Sequence, residues 1–311
     1  MDLLTANDRI GEYPGSFYAG VTEHLAPFLE IEKHSMLECD PPEQTRLRGQ
    51  ILRAFTARQV AAMEEGIASL THELIDAFPK GPFDLLPAFA ERIPVIVIAR
   101  MMGVPETMAD QLLSWSHDMV AMYQARRDRA VEDAAVKASK DFGAYVRDLM
   151  QARRQEPQDD MISALLEVQR SQNALSDAEI VSTLILLLNA GHEATVHSIG
   201  NGVAAILRNN ANGPQIYRDE AATLYANCEV LRYDPPLHMF TRYATDDMDA
   251  FGHHFNTGLC THAGIQTNTI AHALPDRLAQ LLRHKLRRMT CRDAPRFQHH
   301  YPLPIQPRLV Q

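Results

Sequence analysis

The sequence predicts a mainly α-helical protein with a small β part. Three observations carry that prediction. Apolar residues recur at helical spacing through most of the first 235 residues. Helix start and stop signals punctuate those runs. One stretch, His238–Phe255, alternates as strands do, through Thr241, Tyr243 and Thr245.

Pro41-Pro42-Glu43 opens the first helix, which continues through Leu47, Ile51 and Leu52. A proline just inside a start and an acid in the first turn both suit a helix N-terminus. Thr56 with Gln59 forms a capping box for a second helix running through Val60, Met63, Ile67, Leu70 and Leu74. Lys80-Gly81-Pro82 breaks it. A third runs from about Phe89 to Met102 and stops at Gly103. Val104-Pro105-Glu106 starts a fourth, with Leu112, Trp115 and Met119 on one side. A long amphipathic helix spans about Asp128 to Arg154, and a short one Asp160–Gln169. Ser176-Asp177-Ala178-Glu179 starts a helix that runs to about Arg208. At 1.5 Å per residue it is roughly 50 Å long, the length of a central spine. Pro214 and Asp219 precede a last helix through Arg232, ended before Pro235-Pro236.

Composition excludes several classes. The chain has 311 residues, of which 46% are hydrophobic and 22% charged, ordinary globular values that exclude disorder and a disulfide scaffold. A net charge of −9 argues against nucleic-acid binding through bulk positive charge. The most apolar run, Ile180–Leu188, contains Ser182 and Thr183. It falls far short of the roughly 20 residues of a membrane span. The start, Met1-Asp2-Leu3-Leu4-Thr5, lacks a basic n-region and a long apolar h-region. Cys39, Cys228, Cys260 and Cys291 are scattered. Together these features predict a cytoplasmic protein with reduced thiols and no membrane contact.

Charge breaks sharply near residue 255. Residues 1–255 carry 22 Lys+Arg and 37 Asp+Glu, a net of −15; residues 256–311 carry 8 and 2, a net of +6. Seven of the 14 histidines lie at or after His253. The expected division is therefore a helical domain over 1–255 and a basic, His-rich tail over 256–311.

Chemistry-bearing residues sit on the long helix. Ala190-Gly191-His192-Glu193-Ala194-Thr195 lies near its middle. A small-small pair lets another group or helix approach the backbone, and Glu193 followed by a hydroxyl could handle protons. The competing reading is a packing notch with a solvated acid. His192, Glu193 and His197 do not form a zinc-protease helix. Their histidines are five apart, about 140° around the helix, where that motif needs four. Glu229 and Arg232 stand three apart and form either a buried pair that fixes backbone or a surface pair worth under about 1 kcal/mol.

Several motifs occur in order. Asp40-Pro41-Pro42-Glu43-Gln44-Thr45-Arg46-Leu47-Arg48 comes first, then Ala190-Gly191-x-Glu193. Glu229-x-x-Arg232-Tyr233-Asp234-Pro235-Pro236 follows, then Arg242 with Ala244-Thr245-Asp246 and Phe251-Gly252. The set resembles the soluble bacterial branch of the cytochrome P-450 superfamily, the haem-thiolate monooxygenases. The resemblance implies haem b, a small organic substrate, electrons from a ferredoxin-type redox partner, and insertion of one oxygen atom of O2. It also implies site roles. Arg48 and Arg242 would meet haem propionates, with Gln44 where relatives commonly carry a histidine. Ala190 and Gly191 would lie against the haem, Glu193 and Thr195 would handle protons, and Glu229 with Arg232 would form a structural ion pair. The hydroxyl that relatives carry directly after the acid is displaced, because Ala194 stands there and Thr195 follows. By the same resemblance, some relatives with alanine at that position use a substrate hydroxyl or ordered water. Arg46, Arg53 and Arg58 would form the acidic partner's dock, or plain solvated charge.

The resemblance stops after Phe255. The family's ligand loop, F-x-x-G-x-x-x-C-x-G, is absent: Cys260 sits in Thr257-Gly258-Leu259-Cys260-Thr261-His262 and Cys291 in Arg288-Met289-Thr290-Cys291-Arg292-Asp293. Neither context supplies the turn glycines or the amides a ligand thiolate needs, so no axial metal ligand is assigned. The fold expected is thus an incomplete cytochrome P-450 fold with a long central helix, truncated at both ends. An out-of-frame translation from about Asn256 explains the coincidence of motif loss and charge switch. A replacement tail that binds metal or an acidic partner is the alternative. The corresponding functions are an inactive monooxygenase relative, a non-catalytic remnant, or a repurposed helical binding module.

Overall fold

The computed structural model describes residues 5–6, 23–55, 57–123, 128–172, 174–209, 213–237, 239–244, 247–250, 253–255 and 260–264. Helices dominate it. They are α1 (Ala26–Glu32), α2 (Glu43–Ala54), α3 (Ala57–Ala62), α4 (Glu64–Asp76), α5 (Arg92–Met102), α6 (Ala109–Val120), α7 (Arg129–Gln155), α8 (Met161–Gln172), α9 (Asp177–Arg208), α10 (Gly213–Ile216) and α11 (Glu220–Tyr233). A π-turn, Leu86–Ala90, leads into α5. The strands are β1 (Thr5–Ala6), β2 (Met239–Ala244), β3 (Met248–Ala250), β4 (His253–Phe255) and β5 (Cys260–Gly264). Antiparallel β1 and β2 pair Thr5 with Ala244, β5 takes the other edge of β2, and β3 pairs with β4 through Asp249 and His254.

Local chemistry explains most boundaries. Asp128 caps α7, its Oδ1 accepting from Val131 N at 3.0 Å, and Asp219 caps α11 through Ala222 N at 2.7 Å. Ser176 and Glu179 form a reciprocal capping box on α9. Ser176 N donates to Glu179 Oε2 at 2.7 Å, and Glu179 N donates to Ser176 Oγ at 3.2 Å. Gly103 ends α5 with φ +78°, a left-handed cap that favours glycine.

Two expectations need correction. The helix expected to run unbroken from Thr56 through Leu74 is two, divided at Met63, and Thr56 itself lies outside the described residues. Glu64 and Glu65 thereby sit in the first turn of α4, where a helix dipole favours acids. Helix α1 was not anticipated. It carries no side-chain cap and is only seven residues long, so its sequence signal is weak.

The chain divides into two compact units. The first comprises the described residues up to Val196 and those of Thr241–Ala263, and the second the described residues of His197–Phe240 and Gly264. The core of the first unit lies among α1, α5, α6, α7, α8 and the N-terminal part of α9. Phe28, Met102, Leu112, Met119, Phe142, Ile162, Leu165 and Leu184 are completely buried there. Trp115 stacks on Phe142 with centroids 5.1 Å apart. Apolar residues at three- and four-residue spacing on each helix make this core. In the second unit Gly202 admits α11: a Cβ there would lie 2.9 Å from Val230 Cγ1. Asn201 Nδ2 also donates to Asp234 O at 3.2 Å.

Candidate functional site

Two helices of the first unit carry most of the sequence-derived site residues. On α2, Gln44, Arg48 and Leu52 follow one another at four-residue steps, about 40° apart, and so share a stripe. Gln44 is half-buried, Arg48 is exposed, and Leu52 is 57% exposed. Arg48 has no ion-pair partner among the described residues. The stripe thus presents an open apolar residue beside an uncommitted guanidinium, which suits an apolar plane bearing carboxylates.

Ala190 is exposed, and Ala194, one turn later on the same face, is half-buried. Both side chains are small, so a neighbouring group can come close to the backbone on that face. Glu193 is half-buried and lies about 60° from Ala190 around the helix. Gly191 does something different. A Cβ at Gly191 would come 3.0 Å from Ile98 Cδ1, so its lack of a side chain admits α5. The packing reading of the small-small pair holds for Gly191, and the open face belongs to Ala190.

Thr195 is exposed, and its hydroxyl donates to Gly191 O at 2.9 Å within its own helix. Position 195 is about 200° around the helix from Glu193. The structure therefore does not bring the expected proton-handling pair together. The physical reason is the one-residue displacement of the hydroxyl past Ala194.

Arg242 lies on β2, one residue before the Tyr243–Ala6 register pair; its side chain is outside the described residues. Arg46 is not a free element of a docking surface. It donates to Ala174 O at 2.9 Å and pairs with Glu179, tying α2 to the start of α9. Burial pushes the Glu179 carboxyl up, but hydrogen bonds from Ser176 and Arg46 outweigh it and hold the group below its ordinary 4.5. In the second unit, Arg232 Nε donates to Glu229 Oε2 at 2.7 Å, with a second bond from Nη2 to Oε1. The pair is bidentate but partly exposed, at 45% and 32%, so it is not the buried pair of the functional reading. The hydrogen bond from Arg232 to Glu229 raises the guanidinium's already high pKa.

A cavity of about 310 Å³ opens elsewhere in the first unit, among α3, α4, α5 and the start of α8. Met63, Ile67, Val97, Met101, Asp159 and Met161 are among its lining residues, and none of the site residues above lines it. Among the described residues no cluster of three or more His, Cys, Asp or Glu could hold a metal ion. No described helix is long and apolar enough to cross a membrane.

Known proteins resemble this chain along most of its length. Cytochrome P450 CYP107DY1 of Priestia megaterium is 34% identical over 220 residues, covering 70% of this chain and 53% of the relative. The 6-deoxyerythronolide B hydroxylase of Saccharopolyspora erythraea is 32% identical over 258 residues, covering 81% and 62%. The solved structure of the myxobacterial cytochrome P450 CYP267B1 in complex with myristic acid is 30% identical, with a TM-score of 0.74, covering 88% of this chain and 67% of that one. The chain belongs to the cytochrome P450 family. No family model matches it. The chain spans between about half and two thirds of the length of these curated P450 relatives.

As a P450, the chain has a mainly helical fold with a small β part, and its family cofactor is haem. The residue types suit that group: Ala190 and Ala194 put small side chains on one face of α9, and Gln44 and Arg48 are donors that share a stripe of α2 with Leu52. The proximal requirement is a thiolate loop. Of the two C-terminal cysteines weighed as ligands, Cys260 begins strand β5, which pairs with β2. Cys291 lies outside the described residues.

Sequence reasoning missed a buried carboxyl. Glu32, at the end of α1, is 4% exposed and accepts a hydrogen bond from Tyr123 OH at 2.7 Å. Burial pushes its pKa up to about 7 against the lowering effect of that bond. Its partner is 91 residues away, so no local pattern marks it.

Proposed function

We propose that the chain carries the distal side of a haem-dependent monooxygenase site and, as its sequence stands, lacks the thiolate that would activate oxygen. The observation that carries the reading is the small-residue face of Ala190 and Ala194 with Glu193 beside it on α9, in a chain of this family. Haem in this family supplies oxygen activation when its iron carries a cysteine thiolate.

The chain's own residues would orient and protonate. Arg48 would bind one propionate as a charge-assisted donor, Gln44 would add a neutral hydrogen bond, and Arg242 would serve a second propionate. Glu193 would handle protons beside the bound group. Thr195 spends its hydroxyl proton on Gly191 O, so water or a substrate group would take its place. The substrate is a small, largely apolar organic molecule, and the redox partner is a ferredoxin-type protein. The myristic acid in the CYP267B1 complex supports an elongated, apolar substrate class.

The test is spectroscopic. The full chain, supplied with haem, is reduced under carbon monoxide. The expected result is no red-shifted Soret band of the kind thiolate ligation produces, and no substrate oxidation with ferredoxin and reductase. A red-shifted band, or turnover, overturns the reading.

The exposed apolar face of α11 favours a second reading, a non-catalytic remnant or binding module. Leu224, Tyr225 and Leu231 there are 57%, 54% and 47% exposed. A chain that takes up no haem yet melts cooperatively as a monodisperse species supports a binding module; one that aggregates without haem supports the remnant.

A further inference from the structure

We propose that the cavity among α3, α4, α5 and the start of α8 is a second ligand site, and that it takes a small organic cation, an amine carrying an apolar body. None of the residues assigned above to haem or to proton handling lines it, so the site stands apart from the monooxygenase reading.

At about 310 Å³ the cavity stands at the lower end of small-molecule sites, which run from about 300 to 1,000 Å³. Three methionines from three segments line it: Met63 at the division of α3 from α4, Met101 on α5 and Met161 on α8. Ile67 and Val97 add apolar surface. Thioether side chains are flexible and polarizable, so they adapt to a guest and favour aromatic rings. Gly66, in the first turn of α4, lines the cavity too. Beyond its own turn, a Cβ there would meet only Arg100 Nη1 among the described residues, at 4.0 Å. Close packing therefore does not demand glycine at this position. Its effect is to keep one wall of the cavity open.

Charge sets the class of guest. Arg100, Asp159 and Asp160 are the charged residues of the lining. Two of them are already neutralised. Arg100 Nε donates to Glu106 Oε1 at 2.8 Å, and its Nη1 donates to Gly66 O at 3.3 Å. Asp160 pairs with Arg153. Asp159 is exposed and makes no hydrogen bond or ion pair among the described residues. The lining thus keeps one uncompensated negative charge, at its solvent-facing edge, beside apolar walls. An ammonium placed there is attracted while its apolar body lies among the methionines, and a carboxylate is repelled.

Isothermal titration of the full chain without added haem tests this. The probes are 4-phenylbutylamine, 4-phenylbutan-1-ol and 4-phenylbutyrate, which share one apolar body and differ in charge. An ion pair at an exposed carboxylate implies that the amine binds about two- to five-fold more tightly than the alcohol, with the acid weakest. Added salt should narrow the gap between amine and alcohol. In Asp159→Asn the two should bind alike. Gly66→Leu fills the cavity and improves helix propensity, so it should fold at least as well as the native chain and lose all three probes. Val97→Phe repeats the block from α5, and circular dichroism verifies each fold. Failure of the amine to bind, equal binding of amine and alcohol by the native chain, or a preference that survives Asp159→Asn overturns the proposal. So does binding that survives the Gly66→Leu block, which assigns the probes to another apolar surface.

Discussion

Arg153 Nε donates to Asp160 Oδ2 over 2.5 Å, and the two side chains are only 18% and 3% exposed. The pair closes the junction between α7 and α8. Arg153 Nη2 also donates to Gly103 O at 2.9 Å, and Asp160 Oδ1 accepts from Ser163 N at 2.7 Å. One buried carboxylate thus caps α8, neutralises an arginine and packs against the turn that ends α5.

Gly103 is fixed twice by this arrangement. Its φ is +78°, and a Cβ there would overlap Asp160 Oδ2 and lie 2.6 Å from its Cγ. Asp160 cannot swing away without releasing Arg153 and Ser163. Gly103→Ala is expected to destabilise the chain by about 3 kcal/mol, from left-handed strain plus overlap. Chemical denaturation measures it. In an Asp160→Gly background the same substitution should cost markedly less, because the overlap term disappears.

The start of α9 gives a second prediction. Glu179 accepts from Ser176 N and pairs with Arg46, so Glu179→Ala removes a capping box and an inter-helix tie. The expected cost is about 1–2 kcal/mol at neutral pH. The sign with pH follows from the lowered pKa. The carboxylate's contribution is fully present above its unfolded value of 4.5 and is lost as pH falls through the lower folded value. The gap between native and variant melting temperatures should therefore shrink as pH drops from 6 toward 3.

Gly191 and Ile98 supply a third. Ala at 191 gains helix propensity, worth up to about 1 kcal/mol, against a 3.0 Å approach to the end of a flexible isoleucine. Gly191→Ala should stay within about 1 kcal/mol of the native chain. Gly191→Val, which thrusts methyl groups into the same space, should cost about 2 kcal/mol or more. Ile98→Ala in the valine background should recover part of that loss, read as a coupling energy in a double-mutant cycle. Additive losses would show that Gly191 is not held glycine-like by α5.

Local chemistry was legible in the sequence, and distant partnerships were not. Ser176 with Glu179, Asp128, Asp219 and Gly103 each act on backbone within four residues, so their roles could be read from spacing. The same holds for the long helix that carries Ala190 and Glu193. Arg46 shows the limit: its sequence suggests a solvated charge, yet its partners are 128 and 133 residues away. Gly191 shows another. Its small size signals close approach, but only the fold reveals that Ile98 is what approaches. Helix α1 escaped notice because Leu25 provides no side-chain cap, and its hold on the fold is tertiary: Ser182 Oγ on α9 donates to Ile31 O at 2.8 Å.

Burial at the end of that helix makes Glu32 a pH-sensitive feature of the first unit. The carboxyl lies at the end of α1, 4% exposed, and accepts from Tyr123 OH at 2.7 Å. Its folded pKa is about 7 against 4.5 when exposed, because burial penalises the charge more than the tyrosine relieves it. The folded chain therefore holds this proton where the unfolded chain has released it. Stability is fully present below pH 4.5 and is lost as pH rises through about 7, by about 3 kcal/mol in all. Glu32→Gln keeps an oxygen for Tyr123 and cannot ionise. Its stability should match the native chain at pH 4.5 and exceed it at pH 8, and the difference between the two denaturation curves should track a single titration centred between those values. Parallel curves across that range would mean that α1 opens enough to hydrate the carboxylate, and that Ser182 and the apolar face of Phe28 and Ile31 hold the helix without help from a neutral Glu32.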